Sequence, residues 1–148
     1  MKMSEKIQME EALNGFIEKL EDGLETHLVS VVLFGSCARG DWDERSDLDL
    51  LIIVKEYDEI EPLLIDIGVE IVLNYGVSIV PIIWDVEDLN ANIKYKSPLF
   101  LTLLLGYRIL YDEVNFFRNK VRGIKKKEMP EFTFVGRHKK WRSSEISL

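Results

Sequence analysis

Two aspartates that lie two residues apart, Asp47 and Asp49, are the residues of this chain best suited to chemistry. They open an apolar, β-branched stretch that ends at Val54 and is typical of a buried strand. Side chains at positions i and i+2 of a strand lie on one face, so both carboxylates point the same way. Such a pair can hold Mg²⁺ or Mn²⁺ against phosphate oxygens. The pair therefore predicts a divalent-metal site.

The alternative is that the two acids simply lie on a solvent-exposed face of a sheet. Leu51 and Ile53 continue the same face and are expected to be covered by other elements. Carboxylates at the end of a covered face are costly to desolvate unless they bind something. The pattern favours binding over a solvated role.

A Gly-Ser pair, Gly35-Ser36, ends the apolar run that begins at Leu28 and precedes a predicted short helix at Cys37–Arg39. Backbone N–H groups at such a strand-to-helix turn can cradle a phosphate. Glycine allows close approach, and the Ser36 hydroxyl can donate to a phosphate oxygen. The turn predicts a phosphate site beside the predicted metal site.

Hydrophobic periodicity predicts the elements that position these residues. Pro81, inside the third predicted strand, indicates an edge strand or a bulge. The predicted order is α, β, β, α, β, α, α, a mixed α/β domain. The segments are a helix over 4–24, strands over 28–34 and 47–54, a helix over 58–75, a strand over 77–84, and helices that begin near 85 and 98.

The central stretch resembles the signature of the nucleotidyltransferase superfamily related to DNA polymerase beta, and most closely that of the minimal nucleotidyltransferases. Its two halves are Gly35-Ser36-Cys37-Ala38-Arg39-Gly40 and Ser46-Asp47-Leu48-Asp49-Leu50-Leu51. The resemblance implies an α/β (α+β) nucleotidyltransferase-like fold, a small mixed sheet flanked by helices. It implies a nucleotidyltransferase-like domain over 1–112, with 113–148 as a C-terminal helix and basic tail packed on it or extending from it.

The resemblance also assigns roles to residues. Asp47 and Asp49 would be catalytic and would bind Mg²⁺ or Mn²⁺. ATP or another nucleoside triphosphate would be the substrate. Its phosphates would be held by nucleotide-binding residues at four positions, which are Gly35, Ser36, Arg39 and Ser46.

The third carboxylate that the family places on the next strand is not evident here. The segment Val77–Trp84 contains no acid, and Ser78 falls at the expected position. Asp85 and Glu70 are the alternative sources of a carboxylate. Without this general base, removal of the acceptor proton would slow, since such help is worth roughly 10²–10⁴ in rate.

Three functions follow from these residues. The first is Mg²⁺-dependent transfer of a nucleoside monophosphate, AMP above all, to an acceptor hydroxyl. The resemblance implies that the acceptor is a HEPN-type partner protein, as in toxin–antitoxin modules. The second is a nucleotide- or partner-binding module that retains the fold but has little or no catalytic activity. The third, an aminoglycoside-type transferase, would need a larger substrate domain.

Length, charge and composition predict where the chain is located and what it binds. With 148 residues, a net charge of -7, one cysteine and no apolar run of membrane-spanning length, it is expected to be a cytoplasmic domain without membrane contact. The charge argues against broad nucleic-acid binding. Residues 118–142, however, carry ten Lys/Arg and two acids. This tail is expected to be either a solvated face or disordered end, or a docking surface for an acidic partner or RNA. Homo-oligomerisation stays open.

Overall fold

The computed structural model describes residues 2–41, 43, 45–56 and 59–124, and the backbone of 133–135 and 140–142. The helices are α1 (Met3–Leu24), α2 (Glu61–Tyr75), α3 (Val86–Lys94), α4 (Pro98–Leu104) and α5 (Phe116–Arg122). The strands are β1 (Leu28–Phe34), β2 (Leu48–Val54), β3 (Ile79–Asp85), β4 (Tyr107–Asp112), β5 (Thr133–Val135) and β6 (Lys140–Arg142). No helix in these ranges is both long and apolar enough to cross a bilayer.

Four strands form one mixed sheet in the order β3-β2-β1-β4. β1 pairs antiparallel with β2 and β4, whereas β2 and β3 are parallel because α2 carries the chain back between them. β3 is an edge strand, in agreement with the position of Pro81. The predicted mixed α/β fold, a small sheet flanked by helices, is confirmed.

Helices cover both faces of this sheet. α1 and α2 pack on one face, and α3, α4 and α5 pack on the other. β2 alternates between the two cores, with Leu50 and Ile52 in the first and Leu51 and Ile53 in the second. Asp49 precedes Leu51 by two residues and therefore lies on the second face, as the sequence predicts.

Local hydrogen bonds explain where several helices begin and end. Asp85 and Asp88 form a reciprocal capping box at the start of α3. The Ser97 hydroxyl accepts from the amide of Phe100 at 3.2 Å, one residue before the first-turn proline of α4. Gly76 ends α2 in the left-handed conformation, with φ at 69°. These ends were predictable because each depends on residues close in sequence.

Asp112 joins β4 to two other elements. The hydroxyl of buried Ser30, in β1, donates to Asp112 Oδ1 at 2.6 Å. The amides of Phe117 and Arg118, at the start of α5, donate to the same carboxylate at 2.8 and 3.0 Å. One side chain therefore positions α5 against the sheet.

Asp112→Ala should lower the free energy of unfolding by about 1–3 kcal/mol, because it leaves a buried hydroxyl and two helix amides without their acceptor. Chemical denaturation measures this change. The exposed acid of α1 provides a control, Asp22→Ala, which should stay within about 0.5 kcal/mol of wild type. Additive effects of Asp112→Ala and Ser30→Ala in a double-mutant cycle would contradict the proposed coupling.

Candidate active site

The candidate site lies where the end of β1 meets the start of β2. In the antiparallel register of these strands, Phe34 pairs with Asp49. Gly35 directly follows Phe34, so the Gly-Ser turn begins beside the Asp49 side chain. The structure therefore brings together the two halves of the sequence motif.

Gly35 is required at this position for two reasons. Its φ is 77°, in the left-handed region that disfavours residues with a Cβ. A Cβ built on Gly35 would also overlap the Asp49 carboxylate, whose Cγ would lie 3.3 Å away. The absence of a side chain thus lets the Asp49 carboxylate rest against the turn backbone.

The turn itself is tighter than predicted. Its backbone bonds run from the amide of Arg39 to Gly35 O at 3.3 Å and from that of Asp41 to Ser36 O at 2.9 Å. The predicted short helix over Cys37–Arg39 is wrong, because the chain reverses after these turns at Gly40, whose φ is 82°. The phosphate-binding roles of Gly35 and Ser36 stay predictions.

Asp47 and Asp49 influence each other electrostatically. Asp47 is exposed, whereas Asp49 is half-buried. The pKa of Asp49 is raised chiefly by desolvation and then by the negative charge of Asp47, while the positive charge of Arg39 opposes this rise. A cation between the carboxylates would offset this repulsion, and two carboxylate oxygen donors suit a hard divalent ion. The residues present therefore fit Mg²⁺ or Mn²⁺.

The positive charge of Arg39 acts to lower the pKa of Asp49, and the Arg39 side chain lies over Gly106. A Cβ on Gly106 would lie 2.8 Å from Arg39 Cγ. This contact between the turn and the α4–β4 connection is not visible in the motif, because Gly106 is more than sixty positions away in the chain. The absence of a side chain at Gly106 leaves room for the Arg39 side chain, whose positive charge acts on Asp49.

Ser46 lies in the loop before β2, next to Asp47. Its amide donates to Asp43 O at 2.9 Å, and its hydroxyl accepts from the amide of Asp43 at 3.3 Å. These bonds close the loop that leads into the strand. The predicted role of Ser46 in nucleotide binding stays a prediction.

Ser78 immediately precedes β3 and lies opposite Asp47. The parallel register pairs Leu48 with Ile79 and Asp49 with Val80, and the amide of Leu48 donates to Ser78 O at 2.9 Å. Neither Ser78 nor Val80 carries a carboxylate. Within the described ranges, no group of three His, Cys, Asp or Glu is arranged to hold a metal ion.

The two alternative carboxylates do not reach the pair. Asp85 pairs with Val54, five positions beyond Val80 and so roughly 16 Å along the strand. Its Oδ1 accepts from the amide of Asp88 at 2.7 Å and so caps α3. Glu70 lies on α2, which covers the opposite sheet face, and forms an ion pair with Lys19. Of the positions considered, Ser78 alone adjoins the pair.

Cys37 has a structural role that the sequence did not reveal. It is 5% exposed, and its Sγ donates to Asp47 O at 3.3 Å, which ties the turn to the start of β2. Burial, and then the charge of Asp49, raise the pKa of the thiol to about 12. No sequence signal suggested this role, because the apolar residues around Cys37 come from distant segments of the chain.

Cys37 should therefore react slowly with a thiol reagent in the native protein at neutral pH, because it is both buried and protonated. The measurement is the rate of alkylation by iodoacetamide, with the urea-unfolded chain as the fully reactive control. Equal rates in the two states would contradict the burial of this thiol.

Gly35→Ala should destabilise the protein more than Gly40→Ala. Both changes carry the left-handed backbone penalty of roughly 1–2 kcal/mol, but a Cβ on Gly40 meets nothing within 4 Å. Only Gly35→Ala must also displace the Asp49 carboxylate. Urea denaturation of both variants measures the difference, and equal losses would show that Asp49 does not lie against Gly35.

Known proteins resemble this chain in sequence and in fold. Residues 13–133 match the family model described as a nucleotidyltransferase domain. Two proteins of Methanocaldococcus jannaschii, each named as a candidate protein adenylyltransferase, are similar. One is 35% identical over 151 aligned positions, 97% of this chain and 99% of the relative. The other is 34% identical over 103 aligned positions, which are 69% of this chain and 97% of the relative.

A toxin–antitoxin structure solved with AMP-PNP shares the fold. Its TM-score is 0.50 at 15% identity, over 74% of this chain and 78% of that one. The family model and the full-length relative carry the assignment, while this structure supports the fold. The family that the motif predicted is confirmed: the chain belongs to the nucleotidyltransferase domain family.

Proposed function

We propose that this chain is a divalent-metal-dependent nucleotidyltransferase that transfers AMP from ATP to a hydroxyl group of a partner protein, with cleavage of the α–β phosphoanhydride bond and release of pyrophosphate. The observation that carries the proposal is the Asp47–Asp49 pair at the end of a covered strand face, with Gly35 making room for Asp49. The names of the relatives, protein adenylyltransferases, support AMP as the transferred group and a protein as the acceptor.

Each residue of the site has a role in this proposal. Asp47 and Asp49 would hold Mg²⁺, which neutralises triphosphate charge and orients the phosphate under attack. Gly35 and Ser36 would hold phosphate oxygens through the turn. Arg39 would place its positive charge beside the same oxygens, since Gly106 supports its side chain. Together these groups position the nucleotide and stabilise the charge that develops on it.

Among the described residues, no third carboxylate lies beside Asp47 and Asp49 to accept the proton of the acceptor hydroxyl. Ser78 occupies the position opposite Asp47, and a neutral hydroxyl is a poor general base at neutral pH. The proton would therefore leave to solvent or to a base on the acceptor. This observation also favours a second candidate function, a binding module that holds nucleotide and partner but has little catalytic activity.

The proposed acceptor is a HEPN-type partner protein. The motif implies such a partner, and a fold neighbour was solved as a toxin–antitoxin complex with AMP-PNP. An acceptor of this kind would be a separate protein, encoded close by, whose modification changes its activity.

Incubation with labelled ATP, Mg²⁺ and the product of the adjacent gene should transfer label to that product. Asp47→Asn and Asp49→Asn should each reduce transfer by more than the roughly 10–100-fold that loss of a metal's outer-shell partner costs. Asp22→Asn, at an exposed acid on α1, is the control and should leave transfer unchanged.

Transfer that survives the double substitution of Asp47 and Asp49 would exclude the assigned site. If wild type binds ATP but labels no acceptor, the binding module becomes the better description. A nucleotide titration of wild type and of Asp49→Asn, followed by calorimetry, separates these two results.

Ser78→Asp should raise the rate of transfer, because it places a third carboxylate beside Asp47. A gain of about tenfold or more is expected, part of the roughly 10²–10⁴ that general-base help supplies. Ser78→Asn, which is similar in size but not basic, is the matched control. Equal rates for the two variants would show that position 78 does not approach the acceptor hydroxyl.

A further inference from the structure

Helix α2 has two apolar sides, although the described fold covers only one of them. Leu64, Ile67 and Ile71 are buried against α1 and the sheet. A second stripe at spacings of four points outward, and its members are 66%, 53% and 78% exposed; they are Ile65, Val69 and Leu73. A helix that is apolar on both sides is normally covered on both sides. We therefore expect another structural element to cover the outer stripe.

This outer stripe forms one wall of a groove, which we call the α2–β3 groove. Its volume is about 520 Å³, and its other wall is the edge strand β3, with Pro81 and Ile83 among the lining residues. Ser78, opposite Asp47, also lines it. The groove lies on the sheet face that α2 covers, opposite the face on which Asp49 lies, and it reaches the edge of the sheet at Ser78.

Gly68 lies in this groove, and no packing among the described residues explains it. A Cβ on Gly68 would meet nothing within 4 Å, whereas one on Gly15 would lie 2.8 Å from Tyr75 Oη. Glycine inside a helix costs roughly 1 kcal/mol relative to alanine. A glycine with open space before it lets the backbone of another element approach closely.

Charge identifies the kind of occupant. Residues 56–93, which include α2 and β3, contain nine acids and no Lys, Arg or His. Glu61 lines the groove, and Asp66 lies further round the same helix. Two copies of α2 packed on each other would bring these acids together, whereas Lys and Arg would complement them. The charge therefore favours a basic partner over a second copy.

The edge strand argues for a helix as the occupant. Along β3, the backbone N–H and C=O groups of successive residues point alternately toward β2 and away from it. Because Ser78 O accepts from Leu48 N, the backbone groups of Pro81 point away from β2, toward the free edge of the sheet. Proline has no N–H and interrupts the row of donors that an added strand would need. A helix, which satisfies its own backbone, can contact the groove through side chains alone.

We propose that the α2–β3 groove docks an amphipathic helix of another protein, with apolar residues at spacings of three and four and Lys or Arg on its flanks. Close approach over Gly68 would bury the stripe of Ile65, Val69 and Leu73. A helix in this groove would contact the sheet on the face opposite Asp49 and would reach Ser78 at the edge of the sheet. The docking surface stands whether or not the site transfers AMP.

The test uses fluorescence anisotropy with the full chain and three labelled helical peptides of about 18 residues, five turns. The first has a Leu stripe with Lys flanks, the second has Glu in place of Lys, and the third is a scrambled form of the first. The first should bind, and the other two should bind at least about tenfold more weakly.

Substitutions locate the binding surface. Gly68→Leu fills the groove and Val69→Ser removes part of the stripe, so each should weaken the first peptide by about tenfold or more. Ile7→Ser is the matched control, because Ile7 is 51% exposed but lies on α1. It should leave binding unchanged. Since Val69 is exposed, its variant should keep the fold even if Gly68→Leu does not, and thermal melts check both.

Four results would overturn the proposal. They are no binding of the first peptide, equal binding of the scrambled or Glu-flanked peptide, and binding that Val69→Ser and Gly68→Leu do not change. The fourth is a concentration-dependent dimer in sedimentation that Val69→Ser abolishes, which would assign the groove to a second copy. Each readout is binding or association, so loss of AMP transfer has no bearing on them.

Discussion

The contact between Gly35 and Asp49 is the constraint on which the candidate site depends. Pairing of Phe34 with Asp49 brings the end of β1 to the start of β2. At that point the chain must leave β1 with a positive φ while a carboxylate rests against its backbone. Only glycine satisfies both conditions. The Gly-Ser turn and the carboxylates are therefore parts of one arrangement.

Burial of β2 holds this arrangement in register. Every residue of the strand is buried except Asp49, which is half-buried. Because the side-chain period of a strand is two, a slip of one residue would move Asp49 to the face covered by α1 and α2, where it would have to displace apolar contacts. Packing of both sheet faces thus fixes the orientation of the carboxylates. The stability of the core and the geometry of the site depend on the same strand.

Both proposals involve the edge of the sheet that β3 forms. β3 lies beside β2 but has no strand on its outer side, and α2 leaves an apolar stripe next to it. Ser78 belongs both to that groove and to the surroundings of Asp47. A partner in the groove would therefore contact Ser78 from the sheet face opposite Asp49.

The sequence by itself determined the features that depend on near neighbours. Spacing predicted that Asp47 and Asp49 share one strand face, whereas the strand of the structure begins one residue after Asp47, at Leu48. The caps at Asp85, Ser97 and Gly76 set the helix ends, because their hydrogen bonds act over a few residues. The motif was sufficient to predict the family and the mixed sheet.

Tertiary structure decided what depends on distant residues. Strand order and register separated Asp85 from the pair and put Glu70 behind the sheet, although both were reasonable sources of a carboxylate by sequence. The support of Arg39 by Gly106, the burial of Cys37 and the α2–β3 groove also arise from packing between segments far apart in the chain. The sequence contains no local signal for such contacts, because they are fixed by burying two sheet faces at once.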